Sequence, residues 1–360
     1  MSSFNFLHIS DFHVGLNGTS DLWPQIREQF QIDIRRHTSQ NGPLDLVIFS
    51  GDLTQAGTDA EFSLAVDEFR KLWSFLGTID QNPKLFIVPG NHDLSRPKFD
   101  SSLLMAIENV RKRSHILPAL LSDESSEYRK ELKAAFSGYT KFLTGLDANG
   151  ITLAADNFGA FPGDCSVVLR KGEFQLGIIG LNTTWSQLEK GNFLEKLEIT
   201  PAQVKYAVNG DVTEWTALNE YNLLVTHHPK NWLGEDARID FDNEINPFGR
   251  FDGHFCGHMH ELLTESVGMG GKIRSRVFQA ASLFGLEKEG DGTTTRRHGY
   301  NFFQLDLAQQ TLKNWPRKAS KIALGGWRIN VDDAAIEETG EISNTDSFPI
   351  RDGFISKKKI

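Results

Sequence analysis

The sequence predicts an α/β fold with a helical insertion, and two patterns carry that reading. Up to residue 88, short apolar runs alternate with stretches of helical period in the order strand, helix, strand, helix, strand. Such alternation favours parallel strands joined by right-handed crossovers. The second pattern is chemical. Five apolar runs each end in a motif bearing Asp, Asn or His: DFH at residues 11–13, GDLT at 51–54, GNHD at 90–93, THHP at 226–229 and GHMH at 257–260. Ligands of α/β sheets bind at the carboxyl ends of strands, so these endings suggest one shared metal centre with Asp52 at its middle.

Residues 5–10 read as the first strand, ending in Asp11 and His13. Two apart in extended chain, those side chains point to the same side and suit one ion. Trp23, Ile26, Phe30 and Ile34 recur at helical spacing, and the helix runs out near Asn41, Gly42 and Pro43. Leu46, Val47, Ile48 and Phe49 form a buried strand, after which Gly51 lets the backbone turn and leaves Asp52 at the strand end. Thr58 and Glu61 make a capping box for a second helix, with Phe62, Val66, Phe69 and Trp73 on its buried face. Residues 85–88 give the next strand, which turns through Pro89 and Gly90 into Asn91, His92 and Asp93.

From residue 95 to 150 the character changes. Leu104, Ile107 and Val110, then Tyr128, Leu132, Phe136 and Tyr139, predict a pair of helices separated by a polar break at 122–126. Standing directly after a motif loop, this insert is expected either to cap the centre or to pad one edge of the fold. From Cys165 onward strands follow closely, at 165–169, 174–180, 223–226, 254–256, 276–280 and 300–307. Thr200 and Pro201 open a helix among them, and residues 231–249 read as loop. The catalytic unit is placed at residues 1–315. Beyond Trp315 the chain turns polar, so 316–360 read as an extension or linker, suited to tether the unit to a partner or a larger chain.

Composition sets further bounds. The 360 residues can bury a large core, and 39% hydrophobic with 24% charged residues is ordinary for a soluble globular protein. A net charge of −9 argues against a whole-molecule grip on nucleic acid and leaves only a local basic patch for that purpose. Cys165 and Cys256 both lie in apolar runs, which reads as buried free thiols in a reducing compartment and not as a disulfide framework. No segment approaches the length of a membrane span, and the opening MSSFNFLHIS lacks the features of a signal peptide. A cytoplasmic protein without membrane contact is expected.

A divalent ion bound for hydrolysis favours Asp oxygen and His nitrogen with positions left open for water and substrate. Two ions roughly 3.5–4 Å apart need a bridging carboxylate and can clamp an in-line displacement at phosphorus. The motifs supply Asp11, Asp52, Asn91, His13, His227, His258 and His260, with no cysteine among them.

The order DxH, GDxT, GNHD, xHHP and GHxH resembles the calcineurin-like metallophosphoesterase superfamily, over roughly Phe4 to Leu307. The resemblance implies two mixed β-sheets sandwiched between helices (αββα) with the motif loops at one edge. It implies one metal ion on Asp11, His13, Asp52 and His260, and a second on Asp52, Asn91, His227 and His258. The ions would be divalent or trivalent; Mn, Fe, Zn, Ni and Co all accept such ligands. It implies too that His92 meets the phosphoryl oxygens or protonates the leaving group, with Asp93 orienting it. His228 adjoins a ligand and is read as supporting it, and His8, His37 and His254 as packing or surface residues. Arg96, Arg296, Arg297 and His298 are candidates for holding a phosphate, although a solvated loop is the simpler reading of each taken singly.

Gln55 stands where the protein serine/threonine phosphatase branch has a second acidic residue, and Gly57 lacks that branch's preceding arginine. The expectation is therefore a phosphodiesterase acting on a nucleotide or cyclic nucleotide through metal-activated hydroxide. The alternatives are a metal-dependent nuclease and a regulated effector domain of a larger assembly. The superfamily also includes a retromer subunit that uses the fold as a scaffold, but the intact ligand set here argues for catalysis.

Overall fold

A computed structural model describes residues 3–16, 19–269, 273–284, 287–288, 294–295, 298–323, 325–338 and 340–348. The first half follows the expected alternation: β1 (Ser3–Ile9), α1 (Thr19–Asn41), β2 (Leu46–Phe49), α2 (Asp59–Gly77) and β3 (Lys84–Ile87). The capping box at α2 is present, with Glu61 N–H donating to Thr58 Oγ1 at 3.2 Å and Thr58 N–H to Glu61 Oε2 at 3.1 Å. The 95–150 stretch is not a pair of helices but four short ones: α3 (Ser102–Ile107), α4 (Ile116–Leu121), α5 (Glu127–Ala135) and α6 (Ser137–Ala148). There follow β4 (Asn157–Phe158), β5 (Cys165–Lys171), β6 (Phe174–Leu181), α7 (Pro201–Val208), α8 (Val212–Ala217) and β7 (Tyr221–Thr226). After α9 (Glu235–Asp240) come β8 (Gly253–Cys256), β9 (Leu263–Met269), β10 (Ile273–Gln279), β11 (Glu287–Lys288) and β12 (Thr294–Thr295). The chain closes with β13 (Gly299–Asp306), β14 (Thr311–Lys321), β15 (Trp327–Val331) and β16 (Asn344–Ser347).

Two seven-stranded mixed sheets result. The first runs β15-β14-β13-β1-β2-β3, with β16 also on β14, and the second β4-β5-β6-β7-β8-β10-β9. Each has a parallel part, β1-β2-β3 at one end of the first sheet and β6-β7-β8-β10 in the middle of the second, and the remaining strands pair antiparallel.

Strand alternation sorts the side chains into layers. Leu46 and Ile48 of β2 face Leu223 and Val225 of β7 in the core between the sheets. Val47 and Phe49 face the opposite way, onto α1, α2 and α6. Leu224 likewise turns outward, onto α7 and α9. The order of layers is thus helix, sheet, sheet, helix, as expected for the sandwich.

Three boundaries differ from the sequence reading. Ala319, Trp327 and Ile329 belong to the buried core of the first sheet, and Phe348 packs on Tyr221 at 4.7 Å. The core therefore continues past Trp315, and β14, β15 and β16 are integral strands of the first sheet. In β15 the polar residues Arg328 and Asn330 are the exposed half of an alternating pattern. The Lys357–Lys359 tail lies outside the described residues. Within 231–249, α9 is preceded by a 3₁₀ turn (Lys230–Trp232) and followed by a π turn (Phe241–Ile245). Ala237, Phe241 and Ile245 recur every four residues on its buried side. Finally, α6 is no separate cap: Tyr139, Phe142 and Leu146 join the same core as α2, whereas α3, α4 and α5 gather with Phe161 and Trp185 in a cluster of their own.

Candidate metal centre

The motif loops stand on neighbouring strand ends and are stitched together by backbone. Asp11 N–H donates to Gly51 O at 2.9 Å, Phe12 N–H to Asp52 O at 2.8 Å, and Gly257 N–H to His227 O at 2.9 Å. The glycine that opens a motif has a reason to be one. A Cβ on Gly90 would overlap the backbone nitrogen and Oδ1 of Asp52, and a Cβ on Gly257 would overlap Ser10 Oγ. Glycine is what allows these loops to touch.

The candidate ligands occupy a strained backbone. Asp11 (φ 53°), His13 (48°), Asp52 (56°), His258 (70°) and His260 (59°) all lie in the left-handed region. Asp and His tolerate it better than most residues, yet it costs roughly 1–2 kcal/mol for each. A sequence folded for stability alone would place Gly or Asn there.

Lone pairs converge in two places. In the first, Asp11 Oδ1 lies 3.3 Å from His260 Nε2 and 3.9 Å from His13 Nε2, and the two imidazole nitrogens are 3.2 Å apart. Asp11 is wholly buried, and its Oδ1 has no hydrogen bond among the described residues. Asp11 Oδ2 accepts from His258 N–H at 3.1 Å.

In the second, His227 Nδ1 donates to Ser50 O at 2.8 Å, which directs the lone pair of Nε2 inward. There it meets two more acceptors, Asn91 Oδ1 at 3.1 Å and Asp52 Oδ2 at 3.3 Å. Asp52 joins the two places. Ligand atoms of Asp11, Asp52 and His227 lie within 4.8 Å of one another, as do those of His13, Asp52 and His92. Acceptors facing acceptors in a buried pocket are repulsive without a positive charge between them, so the donor set fits metal ions.

The protonation equilibria agree. Burial pulls His13 down to about 4 and His258 down to about 3, keeping both imidazoles neutral and able to ligate. Burial works to raise Asp11, but the His260 and His227 imidazoles outweigh it and hold the carboxyl at about 2. Asp52 is held well below the usual carboxylate range in the same way, chiefly by His227 acting against burial. At His227 burial is overcome by Asp52 and the pKa rises to about 9, so without a metal ion a proton on Nε2 takes the positive place between the acceptors that an ion would otherwise hold.

Around these ligands the expected residues divide. His92 is half-buried, its ring edge-on to His13 at 5.0 Å. Its Nδ1 donates to Gln55 O at 2.7 Å, and its backbone N–H donates to Asp52 Oδ1 at 2.8 Å. Asp93 does not orient the His92 ring: its oxygens accept from the N–H groups of Leu53, Thr54 and Gly90, at 3.0, 2.8 and 2.9 Å. It is a brace that ties the GDLT and GNHD loops together. Arg96 is brought to the rim, with Nη2 donating to Asn91 O at 3.0 Å.

His298 is not brought there. It is 3% exposed, stacked on Phe284 at 5.0 Å and 3.2 Å from Leu283 O, so it packs behind the centre and cannot touch substrate. Arg296 and Arg297 lie outside the described residues. His8, His37 and His254 are core residues, bonded or stacked on Ser50, Phe302 and Thr226 respectively.

Three groups escaped the sequence reading in whole or part. His228 closes a third cluster with His227 and His258, and its Nδ1 lies 3.0 Å from Thr183 Oγ1. The HHP motif made His228 visible, but nothing marked Thr183 as its partner. The Gln55 carbonyl that fixes His92 has no side-chain signal. Trp232 lies against His258 at 4.0 Å, in a stretch read as loop.

The structure thus sets a buried Asp/His/Asn donor set that fits metal ions on the motif edge of a two-sheet αββα sandwich. The profile of the family described as calcineurin-like phosphoesterase matches residues 4–262, and the chain belongs to that family. Among solved structures it is similar to GAP50, the anchor in the inner membrane complex of Plasmodium, at 10% identity and a TM-score of 0.45, covering 98% of this chain and 90% of that one. It is similar to purple acid phosphatase PPD1 from yellow lupin (Lupinus luteus) seeds at 14% identity and a TM-score of 0.49, covering 98% and 55%. It is similar to Vps29 of Chaetomium thermophilum at 13% identity and a TM-score of 0.34, covering 96% and 100%. No curated protein matches. Among the described residues no helix is long and apolar enough to cross a membrane.

Proposed function

We propose that the chain is a two-metal phosphodiesterase acting on a nucleotide or cyclic nucleotide diester. The observation that carries the reading is the joining of two buried acceptor clusters by a single carboxylate, Asp52. Asp11, His13, Asp52 and His260 would hold one ion, and Asp52, Asn91, His227 and His258 the other. When bound, such a pair supplies charge opposite the phosphoryl oxygens and makes water acidic enough to be a nucleophile near neutral pH.

The protein's own residues do the rest. Ser50 O fixes the tautomer of His227. Gln55 O takes the Nδ1 proton of His92 in a hydrogen bond, which leaves Nε2 as the atom to hold a proton for the leaving oxygen. Arg96 adds a guanidinium at the same rim.

A hydrolysis panel with Mn, Fe, Zn, Ni or Co tests the reading. It compares nitrophenyl mono- and diesters, cyclic nucleotides, and single- and double-stranded nucleic acid. Turnover of diesters and cyclic nucleotides above monoesters supports it; monoesterase activity alone, or none with any metal, refutes it. Preference for nucleic acid would make the protein a nuclease. His92→Ala should keep both ions and lower the rate by roughly 10²–10⁴-fold. The loss should be smaller for nitrophenolate esters, whose leaving group needs no proton.

A further inference from the structure

The rim of the centre is chemically two-sided. Beside Asp52 and His13 stand polar groups, the half-buried His92 and the Arg96 guanidinium. Beside His227 and His258 stands an indole. Trp232 is half-buried, its ring 4.0 Å from that of His258 at 84° and 5.7 Å from that of His228 at 33°. Its position is fixed by several bonds. The Trp232 carbonyl accepts from the N–H groups of Lys196 at 3.2 Å and Leu197 at 3.1 Å, and its own N–H donates to Pro229 O at 3.0 Å. Its Nε1 donates to Met259 Sδ at 3.3 Å. Met259 sits between His258 and His260 in the GHMH motif and is 42% exposed.

We propose that Trp232 and Met259 form the seat for a flat ring, a nucleobase or an aryl group, on the ester whose phosphoryl group the centre holds. The inference rests on the phosphoesterase reading and adds to it the class of group next to phosphorus. A phosphate alone gives an apolar rim nothing to bind, whereas a π face gains from both an indole and a thioether. Because backbone and side-chain bonds already hold the indole, little conformational freedom is lost when a ring settles on it. The polar side, with His92 and Arg96, is left to the phosphoryl oxygens and the other arm of the ester.

The test is calorimetric titration of the Mn(II)-loaded protein with adenosine 5′-monophosphate, phenyl phosphate and ribose 5-phosphate. At least one ring-bearing ester should bind tighter than ribose 5-phosphate by roughly 5- to 100-fold, the range for one base–aromatic stack. A gap for adenosine 5′-monophosphate alone assigns the seat to nucleobases; one for phenyl phosphate alone assigns it to aryl groups. Trp232→Ala should erase the gap and leave ribose 5-phosphate binding unchanged, while Trp232→Phe keeps most of it. Equal affinities in the wild type, or a gap that survives Trp232→Ala, overturn the seat and leave the phosphoesterase reading standing. Failure of all three esters to bind overturns the seat, while the phosphoesterase reading stands or falls on the hydrolysis panel.

Discussion

The backbone at His260 shows what the centre costs the fold. With φ at 59°, this half-buried residue holds a conformation that any side chain bearing a Cβ resists. His260→Gly should therefore be more stable than His260→Ala by ~1 kcal/mol in urea denaturation with chelator present, although both lose the same ligand. Equal midpoints would show that the left-handed turn is unstrained. At this scale the sequence marks the candidate ligands and is silent about their partners. Asp11, His13, Asp52, Asn91, His227, His258 and His260 were legible because each ends an apolar run, and the structure gathers all of them. The errors lay in side chains whose roles depend on distant backbone. Asp93 braces Leu53, Thr54 and Gly90, and His298 is buried against Phe284. Neither arrangement is encoded in local spacing.

Among the elements, the helices after the third motif decide how far the main core reaches. Phe142 of α6 is 2% exposed and meets Phe69 at 5.7 Å and Phe62 at 6.0 Å, so it is part of the α2 layer. Phe142→Ala should cost roughly 3–5 kcal/mol, as large-to-small core substitutions of Phe do. Phe99, on the loop before α3, is 90% exposed, and Phe99→Ala should change stability by less than about 0.5 kcal/mol. Denaturant midpoints of both variants check this; a mild Phe142→Ala would mean that α6 is a detachable cap after all. The insert was legible as helical because Leu and aromatic residues recur at helical spacing. Its division into four pieces was not, since the turns between helices carry few Gly or Pro signals. The late strands were hidden for a related reason: β15 alternates buried and exposed residues, and β14 and β16 mix buried residues with polar ones, so they read as polar linker.

For the whole molecule, buried titratable groups pull stability in opposite directions with pH. Burial lowers His37, stacked on Phe302 at 3.8 Å, to about 3, with the Arg317 charge adding to the shift. Its folded pKa lies below its free value, so its contribution is complete above about pH 6.5 and is lost as pH falls towards 3. Buried Asp164 is raised to about 7, and its contribution instead shrinks as pH rises from about 4 through 7. A bare pH profile mixes the two, so the comparison must isolate one group. The stability of the wild type relative to His37→Phe should fall by roughly 1 kcal/mol between pH 7.5 and pH 5.5. An unchanged difference in denaturation free energy would mean that His37 is not held neutral.

The centre itself is a whole-molecule property, because Asp11, Asp52 and Asn91 follow strands of one sheet while His227 and His258 follow strands of the other. Asp52 stands where the two halves meet, and the account depends on that carboxylate serving two ions. Asp52→Asn suits the left-handed backbone and keeps an oxygen for the His92 N–H, while removing the negative charge. Elemental analysis of desalted protein should find two ions per chain in the wild type and one or fewer in Asp52→Asn. Two ions retained by the variant would contradict the shared centre.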